Sequence, residues 1–408
     1  MKPLGPIPDG FEAIDGELAI GGKLASHWAQ EAGRTPLFVY SRSRIEQRFA
    51  DLHAAMPQRL KVNYAIKANS FPPLLQFMST LADGLDIASG GELEMVRATG
   101  FDLSKVSFAG PGKRDVELEA AISAGVTLNL ESEAEATRAL AIAERLGVTP
   151  QLAVRVNPDF ELKGSGMKMG GGAKPFGVDA DHVPALIRNI VDAGCNFRGL
   201  HIFTGSQALS AEAVIDMQAK VLDCGERLAQ EAQVTLPKLN MGGGFGIPYF
   251  PGDVPLDIRA VGEALEQRFA SLPDTLADAE IFVELGRYLV GEAGVYLTRI
   301  VDRKTSYGET YLVTDGGLHH QLAASGNFGT VVRRNYPVAI ASRFMAEPEE
   351  EANVVGCLCT PLDRLADKAH LPRAEVGDLV AVFCAGAYGA SASPSAFLGQ
   401  GPAIEMLV

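Results

Sequence analysis

The sequence predicts an α/β protein, with a (β/α)8 barrel over residues 42–290 and a mostly antiparallel β-domain made from residues 1–41 and 291–408. Three observations carry this. Between Lys61 and Glu284, eight short apolar runs alternate with polar or Gly-containing turns and Ala/Leu/Glu-rich stretches. Alternation of that kind makes parallel β/α units, and eight strands are the number that closes a barrel. Beyond Glu292 the runs become short and β-branched, and long amphipathic stretches cease. Strand signals also stand near the start, at Glu12–Ile14 and Leu37–Tyr40, so both chain ends supply the β-domain.

In order, the expected barrel strands are Val62–Ile66, Leu85–Ala88, Val106–Ala109, Val126–Leu130, Leu152–Val156, Gly199–Phe203, Lys238–Met241 and Ile281–Val283. Helical stretches include Pro73–Leu81, Gly91–Thr99, Glu131–Leu146 and Ala211–Gln230. The β-domain strands are Val295–Ile300, Thr310–Val313, Asn353–Val355 and Leu379–Phe383.

At about 150 residues per domain, a chain of 408 holds two or three domains. Its 36 Lys and Arg against 50 Asp and Glu give a net charge of −14, which argues against nucleic acid as a partner. No apolar run is long enough for a transmembrane span, and Met1-Lys2-Pro3-Leu4-Gly5-Pro6 lacks the apolar core of a secretory signal. Cys195, Cys224, Cys357, Cys359 and Cys384 are odd in number and hold no Cys-x-x-Cys pair. They read as reduced thiols of a cytoplasmic protein, with no disulfide framework and no metal site.

Reactive residues of such barrels gather just beyond the carboxyl ends of the strands. The first strand ends in Tyr64-Ala65-Ile66-Lys67-Ala68-Asn69. A lysine there has its stem buried, and desolvation lowers its pKa and makes the amine a nucleophile able to form a Schiff base. A surface lysine at a strand end is the plainer alternative. The seventh strand runs into Gly242-Gly243-Gly244-Phe245-Gly246, whose uncovered backbone N–H groups can close on a phosphate. Tight turns use such runs too. The eighth ends in Glu284-Leu285-Gly286-Arg287: a carboxylate suited to a protonated ring nitrogen and an arginine suited to phosphate, or simply a local ion pair. Together these match the aldehyde, phosphate and pyridine nitrogen of pyridoxal 5′-phosphate.

The chain resembles the barrel-type pyridoxal-phosphate decarboxylases of diaminopimelate, ornithine and arginine over nearly its whole length. The resemblance rests on Tyr64-Ala65-Ile66-Lys67-Ala68-Asn69, Asp86-Ile87-Ala88-Ser89-Gly90-Gly91-Glu92, Arg155-Val156-Asn157-Pro158 and His201-Ile202-Phe203-Thr204-Gly205-Ser206-Gln207. It continues through the glycine run, Glu284-Leu285-Gly286-Arg287, Cys357-Leu358-Cys359 and Gly386-Ala387-Tyr388-Gly389. It implies that Lys67 carries the cofactor, that Glu284 keeps its ring nitrogen protonated, and that Gly243, Gly244, Arg287 and Tyr388 bind its phosphate. Phe203 stands where the family stacks a histidine on the ring, Ser206 is a further cofactor contact, and Asp86, Glu92 and Arg155 form a charged network beneath it. Cys359 is the implied acid for the α-carbon, reaching into the second subunit of a homodimer with shared sites. His201, Thr360, Asp363 and Arg334 are assigned to the substrate.

Two positions depart from diaminopimelate decarboxylases. Thr360 replaces the acidic residue after the reactive cysteine, and Ala323 replaces an arginine that follows the turn at Asp315-Gly316-Gly317. An unpaired distal charge is costly there, so free diaminopimelate is not the expected substrate. Cys359-Thr360-Pro361-Leu362-Asp363 and the glycine-rich stretch 164–172 resemble a subgroup found with exosortase and exopolysaccharide genes. They are also similar to decarboxylases of aminoacyl groups on acyl-carrier proteins. Lys163, Lys168, Lys174, Arg333 and Arg334 are the candidate basic patch for an acidic carrier, and 164–172 the candidate lid. The rival readings are an amino-acid racemase on the same barrel and a silent homologue that binds a partner protein. Retention of Lys67, Glu284 and Cys359 weighs against the second.

Overall fold

A computed structural model describes residues 1–161, 167–326 and 333–408. The chain divides into two compact units: Phe49–Gly246 with Leu256–Gly286, and Met1–Arg48 with Ile247–Pro255 and Arg287–Val408.

The first unit holds the expected eight-stranded barrel, while residues 42–48, Ile247–Pro255 and Arg287–Val290 of the span 42–290 belong to the second unit. The barrel strands are Leu60–Ala65, Gly84–Ile87, Val106–Phe108, Thr127–Leu130, Gln151–Asn157, Asn196–Ile202, Lys238–Asn240 and Glu280–Leu285. Each pairs in parallel with the next, and Glu280–Leu285 pairs with Leu60–Ala65 to close the ring. The helices start and stop where local chemistry dictates. Ser132 Oγ accepts from Glu135 N at 3.0 Å to cap Glu133–Leu146, which stops at Gly147 in the left-handed region. Ser210 caps Ala211–Ala232 in the same way.

Alternation along a strand sends every second side chain to the same face. In the eighth strand this puts Glu280, Phe282 and Glu284 in one row, running from the amino-terminal to the carboxyl-terminal end of the barrel. The row ends in a charge at both mouths, which is the feature that positions the site.

The second unit holds a mostly antiparallel sheet of eight strands around Gly294–Ser306 and a separate three-stranded sheet of Glu12–Ile14, Glu17–Ile20 and Lys23–Leu24. Leu37–Tyr40 is buried along its length because it lies between Gly294–Ser306 and Ile404–Leu407, so both chain ends join the sheet as expected. Leu37, Val39, Val295, Leu297, Leu379 and Phe383 share its core with Trp28, whose Nε1 donates to the Ile20 carbonyl at 2.9 Å. Arg364–Leu371 escapes a sequence reading because Asp367 and Lys368 interrupt its apolar alternation. Asp367 is satisfied by Arg364 at 2.6 Å and Lys2 at 2.5 Å. Val338–Ile340 and Ile404–Leu407 escape a sequence reading as well. Among the described residues, no helix is long and apolar enough to cross a membrane.

Close approach of helix Ile258–Phe269 to the chain at Ala55 requires glycine at position 262, where a Cβ would fall 1.8 Å from the Ala55 carbonyl oxygen. Gly262→Ala is expected to cost about 3 kcal/mol by overpacking, read as a lowered urea midpoint with an unchanged slope.

Candidate active site

Lys67 lies in the short 3₁₀ turn Ile66–Ala68 that ends the first barrel strand. Its Nζ is 3.8 Å from Glu284 Oε1, at the end of the eighth strand. Register explains the meeting, since the two strands are neighbours and Leu285 pairs with Tyr64. The other carboxylate oxygen, Oε2, is 2.8 Å from His201 Nε2 at the end of the sixth strand. Burial pushes the Glu284 carboxyl up, but His201, Lys67 and Arg155 outweigh it and hold it down to about 2. The site therefore presents a fixed anion whose Oε1 faces the amine. The Phe203 ring centroid is 5.6 Å from Lys67 Nζ, offering a flat apolar face.

Asp86, from the second strand, takes the opposite protonation. Burial raises its carboxyl well above the usual range and the Glu284 charge raises it further, against hydrogen bonds to Ser107 and Asn63. Two buried carboxyls near one another cannot both ionise cheaply, and the balance favours the proton on Asp86 over Glu284. Arg155 Nη1 donates to Glu131 Oε1 at 2.9 Å, with its guanidinium 5.1 Å from the Phe176 ring centroid. Glu131 also accepts from Gly110 N and, at 3.1 Å, from Gly177 N. It thus ties the third, fourth and fifth strand ends together. Sequence reading missed Glu131 because no motif marks it, although its place directly after the fourth strand was a usable signal. Glu92 Oε2 accepts from Ala88 N at 2.5 Å and buttresses the start of helix Gly90–Thr99.

The glycine loop lies against the eighth strand. Glu284 N donates to Gly242 O at 2.8 Å, and a Cβ on Gly243 would sit 1.9 Å from the Glu284 carbonyl oxygen. Gly244 O accepts from Ala208 N at 2.8 Å, and Gly246 N donates back to Ala208 O at the same distance. Ser206 belongs to the two-residue strand Gly205–Ser206, paired with Met167–Lys168.

The remaining predicted residues stand in the β-sheet unit. Arg287 opens the helix Arg287–Val290, where its Nη1 donates to Tyr249 Oη at 2.8 Å. Its guanidinium lies 4.7 Å from the Tyr388 ring centroid, and among the described residues its buried Nε has no hydrogen-bond partner. Tyr388 has φ +56°. Cys359 is exposed, whereas burial raises the neighbouring Cys357 thiol. Thr360 Oγ1 accepts from Leu362 N at 3.3 Å within its own turn.

Asp363 corrects its sequence assignment to the substrate. It is 2 % exposed, with Oδ1 accepting from Leu318 N at 2.7 Å and Oδ2 from Leu358 N at 2.8 Å. Both oxygens are spent fastening two loops. Of the basic patch, Lys163, the Lys168 side chain and part of the 164–172 stretch lie outside the described residues. Arg333 donates to the Arg364 carbonyl, and Arg334 stacks 3.9 Å from the Phe250 ring centroid while remaining exposed. His201, also assigned to the substrate, is 2 % exposed against Glu284.

Within the barrel unit, the amine beside an ionised carboxylate, the flat ring and a backbone loop that tolerates no Cβ fit the aldehyde, ring nitrogen and phosphate of pyridoxal phosphate. The family model for the pyridoxal-dependent decarboxylase, pyridoxal binding domain, matches residues 42–291, and the chain belongs to that family. It is a pyridoxal-phosphate-dependent amino-acid decarboxylase.

Among curated relatives, the L-glutamyl-[BtrI acyl-carrier protein] decarboxylase of Niallia circulans is 34% identical, covering 91% of this chain and 88% of the relative. The diaminopimelate decarboxylase of Methanothermobacter thermautotrophicus is 32% identical, covering 93% and 87%. Among solved structures, the Helicobacter pylori diaminopimelate decarboxylase complexed with L-lysine superposes with a TM-score of 0.83 at 25% identity, covering 94% of each chain.

The depressed Glu284 carboxyl has a pH signature. Its stabilising contribution in the cofactor-free protein is complete above its ordinary pKa of 4.5 and is lost as pH falls through about 2. Glu284→Gln is expected to flatten that part of the stability profile, followed as urea midpoints against pH. An unchanged acid limb would mean that the carboxylate is not held ionised.

Proposed function

We propose that the chain removes the α-carboxyl of an aminoacyl conjugate carried on an acyl-carrier protein, as a cytoplasmic homodimer, with Lys67 as the residue that holds pyridoxal phosphate. The observation that carries the reaction is the Lys67 amine 3.8 Å from the ionised Glu284 at the carboxyl ends of the strands. When bound, the cofactor supplies a conjugated ring that accepts the electron pair released as CO2 leaves.

The protein's own groups divide the remaining work. Glu284 Oε1 holds the proton of the ring nitrogen, and His201 positions that carboxylate by occupying Oε2. Asp86 stays protonated and so leaves the negative charge to Glu284. Phe203 would offer its face to the ring, and Gly243, Gly244 and Ser206 would supply polar contacts for the phosphate. Arg155 and Glu131 brace the strand ends. Cys359 Sγ delivers the proton to the α-carbon, and its exposed thiol suits service to the second subunit.

Support for the substrate comes from two places. Thr360 and Ala323 offer no charge to the far end of a free diamino acid. The Niallia circulans relative acts on a glutamyl group borne by a carrier protein. Arg334, exposed, is the described member of the candidate patch best placed to meet an acidic carrier.

Lys67→Ala should abolish the visible absorbance of bound cofactor together with labelled CO2 release from carboxyl-labelled substrate. Retention of both would remove the lysine from its role. Cys359→Ala should keep the absorbance and lower turnover by about a hundredfold or more, the usual contribution of a positioned acid. Mass spectrometry of glutamyl and other aminoacyl carrier proteins beside free amino acids should show a loss of CO2 from the tethered form. Turnover of free diaminopimelate alone would overturn the substrate assignment.

A further inference from the structure

The opposite end of the barrel carries a second polar site that the decarboxylation does not use. A cavity of about 150 Å3 opens among the first residues of the strands. That is about ten times the space one water needs, so a tetrahedral oxyanion fits. Barrel interiors are ordinarily filled by branched apolar side chains. This one is lined by Lys61, Arg198 and Lys238 together with neutral donors and acceptors such as Asn63 and Asn240.

The charge balance there is unusual for a chain of net charge −14. Lys61 and Lys238 share one carboxylate, Glu280, with Lys238 Nζ 3.2 Å from it. Among the described residues Arg198 has no such relief, and its Nε is buried without a hydrogen-bond partner. Lys105 and Asp83, both exposed at the rim, offset one another. Two positive charges remain uncompensated. Burial and the adjacent Arg198 lower the Lys238 pKa, although Glu280 opposes them. Half-buried charge of this kind is stabilised when a counter-charge joins it. A guanidinium with a vacant N–H is also well shaped for a phosphate oxygen.

We propose that the amino-terminal end of the barrel binds a small dianionic oxyanion, the phosphate of inorganic phosphate or of a phosphate monoester. The site is distinct from the cofactor's. Phe282 stands between Glu280 and Glu284 in the same row of the eighth strand and separates the two ends.

The test uses the holoenzyme, whose cofactor already fills its own phosphate site, prepared in phosphate-free buffer. Calorimetric titration with inorganic phosphate, and separately with glycerol 2-phosphate, is compared with chloride at matched ionic strength. Saturable binding to wild type, weakened at least tenfold in Arg198→Gln/Lys238→Met with cofactor absorbance and CO2 release unchanged, is the expected result. Tighter binding of the monoester identifies a phosphorylated metabolite as the source, and tighter binding of phosphate identifies the free ion. Arg198→Gln alone, which removes an unpaired charge, gives the same comparison should the double variant not fold. No saturable binding beyond chloride, or equal affinity in wild type and variant, overturns the proposal. Absorbance reports on the cofactor site independently, so failure of this site is distinguishable from failure of the decarboxylase reading.

Discussion

An ionised carboxylate held where water is scarce is the constraint around which the barrel is organised. Glu284 is 7 % exposed, and burial alone would protonate it. It stays charged because three different strands bring cations or donors to it: Lys67 after the first, Arg155 in the fifth and His201 in the sixth. None of these is near it in sequence except through closure of the sheet. The circular pairing of eight strands is therefore what sets the acidity at the mouth, and the fold and the chemistry are one problem.

The same logic separates two carboxyls of identical chemistry. Asp86 lies one strand from Lys67, whose charge acts on it less than burial and the Glu284 charge do, and among the described residues Ser107 and Asn63 are its hydrogen-bond partners. Neutral donors relieve an anion less than cations do, so burial and the Glu284 charge prevail at Asp86. Environment thus assigns one group to hold charge and the other to hold a proton. His201 and Glu131 belong to this machinery even though neither can touch a reacting bond from its buried place. The first orients a carboxylate, and the second clamps an arginine and two loop amides.

Much of this was legible in sequence. All eight barrel strands stood out, because parallel strands are buried on both faces and read as unbroken apolar runs. Lys67, Glu284 and the glycine loop were readable because each directly follows such a run. The sheet unit was harder to read. Arg364–Leu371 carries its charges within a strand, and their satisfaction by Lys2, from the far end of the chain, cannot be inferred locally. Asp363 was misread for a related reason. A carboxylate near a reactive cysteine looks like a ligand group, and only the fold reveals that two backbone amides already claim it. Glu131 had no motif, and Arg198 falls at a bulge in the sixth strand where alternation fails as a guide.

The backbone at Tyr388 bears on how freely this surface could drift. A left-handed conformation costs a side chain with a Cβ about 1 kcal/mol relative to glycine, and glycines stand on both sides of the segment, at 386 and 389. A loop selected for shape alone would relax by losing the ring. Keeping an aromatic phenol there, stacked on the Arg287 guanidinium, means that the strained torsion is tolerated for what the side chain does, and it makes this turn a poor place to seek stabilising substitutions.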